Sequence, residues 1–169
     1  MKAEEVVNTY YKKIYKLALY QLQDENEAED LTHDIFFKVI KSLDSFENRS
    51  EVYTWVYRIA LNTIKNYLRR KSIVRFLSIE NDLRGFEKFF SVQTDDPAIK
   101  NEEKQEKVLK LKKLGEALQK LSSRERTAFF FFHYEKVKQK EIAEIMRTTV
   151  SAVESLIFKS MRKIKRYIA

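Results

Sequence analysis

Apolar residues recur at three- and four-residue spacing between residues 28 and 43, which predicts an amphipathic helix with one buried side. The buried side comprises Ala28, Leu31, Ile35, Val39 and Leu43, with Phe36 on its flank. The opposite side comprises Asp30, His33, Asp34, Phe37 and Lys41. A phenylalanine between acidic residues on a polar face favours, by a small margin, a surface that docks a partner. Because single exposed apolar residues are common, an ordinary solvated face is the alternative.

A second helix is predicted from about Glu51 to Arg70, again with two distinct sides. Its apolar side comprises Val52, Val56, Ile59, Ala60, Thr63 and Tyr67. Its polar side comprises Thr54, Arg58, Asn62, Lys65 and Arg69, without an acidic residue. Solvated helix faces usually mix both charges, because acid–base pairs stabilise them. A face of hydrogen-bond donors and short polar groups suits phosphates and base edges, and a soluble basic face is the alternative.

The C-terminal residues have the pattern of a helix-turn-helix. Residues 138–146 form the predicted first helix, Arg147 to Thr149 form the turn, and Thr149 caps the second helix. The residues of the first helix that pack are Ile142, Ala143, Ile145 and Met146. The buried stripe of the second helix comprises Val150, Val153, Ile157, Met161, Ile164 and Ile168. Its other side comprises Ser151, Ser155, Lys159, Arg162 and Arg166. Small polar residues followed by cations suit a helix in the major groove, and a solvated basic tail is the alternative.

The N-terminal half contains one further helix and one aromatic connection. Residues 4–22 have helical apolar spacing, which predicts a helix that packs on the other two. Residues 43–51 are polar apart from Leu43 and Phe46, so they form a mostly hydrophilic connection between two helices. The Phe46 ring in such a connection either caps the core or receives an unstacked base, and the pattern alone does not favour either.

The middle of the chain departs from helical periodicity after Lys71. Two apolar clusters, at residues 76–79 and 86–90, either pack against a domain or become ordered on a partner. Asp95, Asp96 and Pro97 then predict the start of a new helix. Ser122 and Glu125 form a predicted capping box before four consecutive phenylalanines, residues 129–132. Since these four rings cover every side of a helix, one or two of them must face away from a small core.

Composition favours an all-α fold, and a length of 169 residues favours one domain or two small ones. The loss of helical periodicity after Lys71 then divides the chain into two small helical domains joined by a linker. Two glycines and one proline among 169 residues are too few for a turn-rich β fold. The 12 Phe and 9 Tyr supply apolar surface for packed cores. We predict a first domain at residues 1–72, a linker with the start of a helix at 73–107, and a second domain at 108–169.

The formal charge of +8 is concentrated in two clusters. Residues 65–75 contain five cations and no acid, and residues 159–166 contain five cations. Two separate basic clusters suit a polyanion contacted at two places. A membrane surface would attract them too, but neither cluster lies on a helix with an apolar face suited to lipid. Nucleic acid is the favoured partner.

Several classes of function lack support in the sequence. There is no cysteine, and the two histidines, His33 and His133, have no metal-ligand spacing. No nucleophile–base motif occurs, so we expect neither an enzyme nor a cofactor. The N-terminal residues do not resemble a signal peptide, and no apolar run is long enough to span a bilayer. We therefore expect a cytoplasmic protein without membrane insertion.

Three stretches resemble bacterial extracytoplasmic-function (ECF) RNA polymerase sigma factors, of the sigma-70 family. AEDLTHDIFFKVIKSL, from Ala28, is similar to their polymerase-docking helix. Residues 46–62, FENRSEVYTWVYRIALN, are similar to their promoter-melting loop and −10 helix. IAEI from Ile142 and SAVES from Ser151 are similar to their −35 reader. The resemblance extends over nearly the whole chain, from about Val6 to Arg166.

The resemblance assigns roles to the residues that match. It implies that Asp30, Asp34, Phe37 and Lys41 bind core RNA polymerase. It implies that the −10 element is held and opened by Phe46, Asn48, Ser50, Trp55, Arg58, Asn62, Lys65 and Arg69. It implies that the −35 element is read by Thr149, Ser151, Ala152, Ser155, Lys159, Arg162 and Arg166. An anti-sigma factor that masks the docking face is the further partner that it implies.

The chain departs from the family pattern at four places. Asn48-Arg49 stands where Arg-Gly is common, and Arg147 where a turn glycine is common. Glu154 stands in place of a common lysine and Leu156 in place of a common arginine, which predicts a weaker or differently aimed −35 contact. Glu154 has three possible roles: pairing with the first helix, capping with Ser151, or accepting from a cytosine amino group.

The prediction is therefore an ECF-type sigma factor that binds core RNA polymerase and directs it to promoter DNA. One alternative is a helix-turn-helix DNA-binding regulator that acts without polymerase, which predicts tight, salt-dependent binding of the isolated chain to duplex DNA. A second alternative is a helical adaptor whose basic faces meet acidic proteins. The absence of acids from two unrelated helix faces argues against the adaptor.

Overall fold

The computed structural model describes residues 2–47, 50–75, 109–110 and 113–168, with residues 73–75 as backbone. The regular elements of these residues are helices, and no strand occurs among them. They form two compact units, which are considered one at a time below. The predicted all-α class with two small helical domains is confirmed. The predicted boundaries at residues 72 and 107 stay predictions.

Three helices form the N-terminal unit: α1 (Ala3–Leu22), α2 (Glu25–Lys41) and α3 (Val52–Arg75). Each of them packs against the other two. The core between them is apolar and closed to solvent, and burial of each large apolar side chain contributes about 1.5–3 kcal/mol. Its largest fully buried members are Ile14, Leu17, Tyr20, Ile35, Val39, Val56 and Tyr57.

Helix α2 matches the predicted pattern except at Leu43, which was predicted to be buried but lies beyond the end of the helix and is partly exposed. Ala28, Leu31, Ile35, Phe36 and Val39 are buried, and Asp30, His33, Asp34, Phe37 and Lys41 are exposed. The helix begins where the Asp24 side chain accepts a hydrogen bond of 2.9 Å from the Glu27 N–H, which satisfies one free donor of the first turn. The Glu27 carboxylate itself forms an ion pair with Lys71, which ties α2 to α3. Burial, followed by the Glu27 charge, raises the pKa of Tyr67 to about 12.

Helix α3 differs from the prediction in three respects. It continues to Arg75, past the predicted end at Arg70, because its last turns are rich in Arg and Lys, which favour helix without needing an apolar stripe. Its buried side is rotated toward Tyr57 and Ile64, which are closed to solvent and were absent from the predicted stripe. Thr54, predicted on the polar side, is only 3% exposed.

The described C-terminal residues form helical residues 113–119, α4 (Ser123–Phe129), a π-helix (Phe130–Tyr134), α5 (Gln139–Met146) and α6 (Val150–Ile168). Apart from the last turn of α5, these elements belong to the C-terminal unit. Helices α4 and α6 pack against each other. Ser160 of α6 is fully buried and donates to the Ile157 carbonyl, so its hydroxyl is satisfied within its own helix. The largest fully buried side chains of this core are Leu118, Phe130, Phe131, Ile142 and Ile145.

The predicted capping box at the start of α4 is confirmed. The Ser122 hydroxyl accepts from the Glu125 N–H at 3.3 Å, and the Glu125 carboxylate accepts from the Ser122 N–H at 2.8 Å. The same carboxylate accepts from Lys163 of α6 at 2.8 Å. The Arg126 guanidinium donates to the carbonyls of Leu118 and Leu121, which lie just before α4. The Glu125 carboxylate and the Arg126 guanidinium therefore hold residues 118–122, which lead into α4, against the start of this helix.

The four consecutive phenylalanines are accommodated by the π-helix. Phe130 and Phe131 are fully buried, whereas Phe129 and Phe132 are partly exposed, in agreement with the expectation that some of the rings face away from the core. A π turn advances each residue by a smaller angle than an α turn, which brings two successive rings onto the core side. His133 is partly buried, and its Nε2 has no hydrogen-bond partner among the described residues. Burial, with Lys136 adding to it, lowers the pKa of His133.

Helices α5 and α6 and the turn between them form the predicted helix-turn-helix. Arg147 has φ of 50°, in the left-handed region that favours glycine. The N–H of Thr148 donates to the Ala143 carbonyl at 2.9 Å and that of Arg147 to the Glu144 carbonyl at 3.3 Å, which is the Schellman ending of a helix. The Thr149 hydroxyl accepts from the Ala152 N–H at 3.2 Å, so the predicted cap of the second helix is confirmed.

The buried stripe of α6 is shorter than predicted. Val153, Ile157 and Ile164 are buried, and Met161 is partly buried. Val150 and Ile168, at the two ends of the helix, are each 40% exposed. The periodic pattern therefore overestimated burial at both ends of this helix.

Some predicted features lie outside the described residues. These are Asn48 and Arg49, the apolar clusters at 76–79 and 86–90, and the helix start at Asp95 to Pro97. Within the described ranges, no helix is long and apolar enough to cross a bilayer. In the same residues, no group of three His, Asp or Glu side chains is placed to hold a metal ion.

Candidate polymerase and promoter surfaces

The exposed side of α2 combines acidic and apolar groups. Asp30, Asp34 and Phe37 are all exposed, and Phe37 has 60% of its surface open to solvent. The Lys41 ammonium lies 4.5 Å from the centroid of the Phe37 ring, a cation–π arrangement that covers part of one ring face. The four residues predicted to bind polymerase therefore share one surface.

The polar side of α3 presents cations, and residues 58–69 of this helix include no acid. Asn62, Lys65 and Arg69 are exposed, and Arg58 is half-buried. The exposed Asn66 and Arg70 extend the same side and were not among the predicted contacts. Because Lys65 and Arg69 are four residues apart, they are neighbours on the helix surface. This side of the helix offers donors at the spacing of successive helical turns, as a phosphate backbone requires.

An aromatic pair lies between the connection and the first turn of α3. The rings of Phe46 and Trp55 have centroids 4.8 Å apart and are tilted by 40°. Both residues and Ser50 are partly exposed. Aromatic rings of this kind stack on unpaired bases, since every base has a π face. Asn48, the remaining predicted member of this loop, is outside the described residues.

The exposed side of α6 begins with small polar groups and continues with cations. Ser151, Ser155, Lys159, Arg162 and Arg166 are exposed, and Thr149 and the half-buried Ala152 lie at the start of the helix. The buried Val153, Ile157 and Ile164 lie on the opposite side, so the predicted division of this helix into a packed side and an open side is correct at its centre.

Phe158 is a member of this open side that the sequence analysis missed. It is 67% exposed, although a phenylalanine would normally be buried in a unit of this size. Its position between Ser155 and Arg162, at three- and four-residue spacing, was the signal that could have identified it. An apolar ring on a face of this kind can contact the thymine methyl group in the major groove.

Two departures from the family pattern occur on or beside the same helix. Glu154 is exposed and makes no hydrogen bond or ion pair with the residues that the structure describes, so neither the cap with Ser151 nor the pairing with the first helix occurs. Leu156 is partly buried at the edge of the packed side. The helix therefore has fewer cations than the family pattern provides.

Each of the two units matches a known protein family. The family model for sigma-70 region 2 matches residues 6–73, and that for sigma-70 region 4 matches residues 111–164. The RNA polymerase sigma-H factor of Pseudomonas aeruginosa is 30% identical over 95% of this chain and 83% of its own length. The ECF RNA polymerase sigma-E factor of Haemophilus influenzae is 30% identical over 96% of this chain and 85% of its own.

The chain belongs to the sigma-70 family, among the ECF sigma factors. It is thus an RNA polymerase sigma factor, and the polymerase-independent regulator is not favoured. Membership in a family of initiation factors agrees with the prediction that the chain is not an enzyme.

Solved structures share the fold. The sigma factor RpoE of Bartonella quintana, solved in complex with the anti-sigma factor NepR, has a TM-score of 0.72 at 18% identity, covering 98% of this chain and 95% of that one. CnrH, solved in complex with the cytosolic domain of CnrY, has a TM-score of 0.66 at 18% identity and covers 97% and 85%. At this identity the two structures support the fold alone.

Proposed function

We propose that this sigma factor divides promoter recognition between its two units while α2 holds it on core RNA polymerase. The observation that carries the proposal is that α3 and α6 each have an exposed cationic side without an acid in its centre. A solvated helix would gain from mixing both charges on such a side. Two such sides on two separate units suit a single polyanion with two recognition elements.

The −10 role falls to α3 and the connection before it. Arg58, Lys65 and Arg69 contact the backbone of the −10 element, and Asn62 contacts a base edge. The Phe46–Trp55 pair and Ser50 receive a base that has left the stack, and Asn48, two residues after Phe46 in the sequence, is assigned to the same task. Unstacking a base costs a few kcal/mol, which a pocket of aromatic rings recovers by stacking on the base.

The −35 role falls to the open side of α6. Thr149, Ser151, Ala152 and Ser155 are short enough to let the front of the helix approach the base edges. Lys159, Arg162 and Arg166 follow the phosphate backbone, and Phe158 adds an apolar contact. The exposed Glu154, at the edge of this side, is available to accept from a cytosine amino group, which makes the base preference differ from that of members with lysine there.

The acidic and apolar side of α2 binds the clamp of the polymerase. Asp30 and Asp34 offer carboxylates to basic groups of the enzyme, and Phe37 with Lys41 supplies the adjoining contact. An anti-sigma factor that covers this side would prevent polymerase binding, and we include such a partner in the proposal. Since polymerase and promoter DNA are in the cytoplasm, the proposal includes a cytoplasmic site of action.

Co-purification with core polymerase, followed by run-off transcription from genomic fragments, tests the proposal. Replacing Asp30 and Asp34 together by lysine should abolish association with polymerase, because the carboxylates become repulsive cations. The circular dichroism and thermal unfolding of the variant should match those of the parent chain, since both residues are exposed. Persistent association would show that the docking surface has been assigned wrongly.

A further inference from the structure

Two exposed apolar residues lie together on α2. Phe37 is 60% exposed and Ile40 is 45% exposed. Among the described residues of the N-terminal unit, these two are the exposed large apolar side chains. They are three residues apart on one helix, so their side chains are neighbours on its surface. Ile40 lies outside the stripe that packs on α1 and α3, and no role for it follows from the core.

Helix α1 contributes a side chain to the same edge of α2. The Tyr11 hydroxyl lies 2.9 Å from Nε2 of His33, and the two rings have centroids 6.0 Å apart. The Tyr11 ring also stacks on the buried Phe36 at 5.5 Å, which fixes the direction of its hydroxyl. His33 precedes Phe37 by one helical turn, so the pair formed by Tyr11 and His33 adjoins the exposed ring.

The Tyr11 hydroxyl stays protonated near neutral pH. Burial, followed by the charge of Glu29, raises the pKa of Tyr11 above its usual value. The hydrogen bond between this hydroxyl and His33 is therefore not interrupted by ionisation of the tyrosine near neutral pH. It holds the imidazole against α1, on the side of α2 where Ile40 lies, and it leaves the other side of Phe37 to Asp30 and Asp34.

We infer that the polymerase-docking surface extends over two helices, with Ile40 as a further contact and Tyr11 as a positioning residue that acts through His33. The inference rests on the proposed function of α2, because the new residues are continuous with the acidic docking side. The matching element of the polymerase would present an apolar group beside basic side chains. A second copy of this chain fits poorly, since a symmetric contact would bring Asp30 and Asp34 close to their own copies.

Competition binding tests the contact made by Ile40. Labelled parent chain bound to core polymerase is displaced by each unlabelled full-length variant, and the dissociation constants are compared. Ile40→Gln, which keeps a good helix former, should weaken binding about tenfold, because a partly exposed apolar side chain loses its burial in the complex. Ile40→Leu should bind within about twofold of the parent, since its apolar area is the same. Lys13→Ser, on the exposed side of α1, is the matched control and should bind as the parent does.

A double-mutant cycle tests the positioning role of Tyr11. Tyr11→Phe keeps the ring and its packing on Phe36 but removes the hydroxyl, and should weaken binding about threefold, as loss of one modest hydrogen bond predicts. His33→Ala should weaken binding at least as much. The double variant should be no weaker than His33→Ala alone, because the hydroxyl acts through the imidazole. A merely structural hydroxyl would give additive losses and a lower unfolding temperature.

Comparison with the Asp30→Lys/Asp34→Lys variant separates the two levels of the proposal. If that variant fails to bind while Ile40→Gln and Tyr11→Phe bind as the parent does, the extension is wrong and the acidic docking side stands. If the acidic variant binds normally, the docking assignment fails and the extension fails with it. Sedimentation of the free chain tests whether a second copy of the chain covers the patch. If Ile40→Gln loses self-association but keeps polymerase binding, the patch contacts a second copy and the inference is wrong.

Discussion

Replacement of Glu125 should weaken the C-terminal unit by an amount that depends on which of its contacts is removed. The carboxylate closes the capping box with Ser122 and also accepts from Lys163 on α6. The side chain of Glu125 is 7% exposed, whereas that of Lys163 is 47% exposed. The capping hydrogen bond is therefore sheltered from water, whereas water partly screens the ion pair at its lysine end.

The magnitudes follow from that difference in exposure. Glu125→Gln keeps the cap, because glutamine serves at the same position, and loses the ion pair, which after screening is worth about 0.5–1 kcal/mol. Glu125→Ala removes both contacts and leaves the Ser122 N–H without its acceptor, for a loss of about 2 kcal/mol. In a unit of this size, each kcal/mol lowers the unfolding temperature by about 4–8 °C.

The stabilisation by Glu125 should also depend on pH in a definite direction. Burial alone would raise the pKa of its carboxyl, but hydrogen bonds from Lys163 and Ser122 outweigh burial and lower the pKa below the usual 4.5. A group with a lowered pKa in the folded state stabilises fully above its unfolded value and loses that effect as pH falls through the folded value. The difference between the parent and Glu125→Gln should therefore be constant near neutral pH and shrink below about 4.5.

Guanidinium unfolding followed by far-ultraviolet circular dichroism, with hydrogen exchange of α4 and α6 by mass spectrometry, measures these losses. Trp55, the only tryptophan in the sequence, lies in the N-terminal unit, and its fluorescence transition should not change. Glu154→Gln removes the same charge from an exposed position of the C-terminal unit and is the matched control. Equal stability of the alanine and glutamine variants would refute the separation of cap and ion pair, and a parent-like alanine variant would refute both.

Three further outcomes are expected. Arg147→Gly should stabilise the C-terminal unit by about 0.5–1 kcal/mol in the same unfolding assay, because glycine adopts the left-handed turn without strain, whereas Lys140→Gly inside α5 should destabilise it by about as much. Phe158→Ala should leave stability unchanged and weaken holoenzyme binding to promoter fragments identified by run-off transcription about 5- to 30-fold, measured by filter binding. An affinity equal to that of the parent would exclude the ring from the interface. Lys65→Gln and Arg69→Gln should each reduce the slope of log affinity against log salt by about one, for every promoter tested, while Lys13→Gln on α1 leaves it unchanged; an unaltered slope would remove that residue from the phosphate contacts.

The sequence predicts α2 better than α3, for a physical reason. In α2 most apolar residues occupy one stripe and the charged residues occupy the other side, so only one rotation of the helix buries the stripe, and Phe37 and Ile40 stay exposed. In α3 the aromatic Tyr57 and the aliphatic Ile64 lie beside Thr63 and Tyr67, and several rotations of the helix bury a similar area. The direction of packing is then decided by the neighbouring helices, which a pattern on one helix does not contain.

Backbone geometry limits the prediction of the C-terminal unit. Four consecutive phenylalanines predict only that some ring must leave the core, and they do not predict the π-helix in which Phe130 and Phe131 are buried. Arg147 occupies a position where glycine would be expected, and the chain adopts the left-handed turn regardless, because the Schellman bonds and the burial of Ile142 and Ile145 fix the end of α5. Phe158 is a different case, because its spacing from Ser155 and Arg162 placed it on the open side of α6 and the sequence analysis overlooked that signal.

The cations of α6 divide into two groups, and this division changes the expected salt dependence. Residues 159–166 contain five cations, but Lys163 is paired with Glu125 on the packed side and is not available to a phosphate without breaking that pair. Lys165 is exposed and lies seven residues after Phe158, on the same side of the helix. Lys159, Arg162, Lys165 and Arg166 remain, so α6 should contribute a slope of about −3.6 rather than about −4.5, since each phosphate contact contributes about −0.9. Counting charges along the sequence therefore overestimates the affinity of this helix for DNA, because one of the counted cations, Lys163, pairs with Glu125 within the protein.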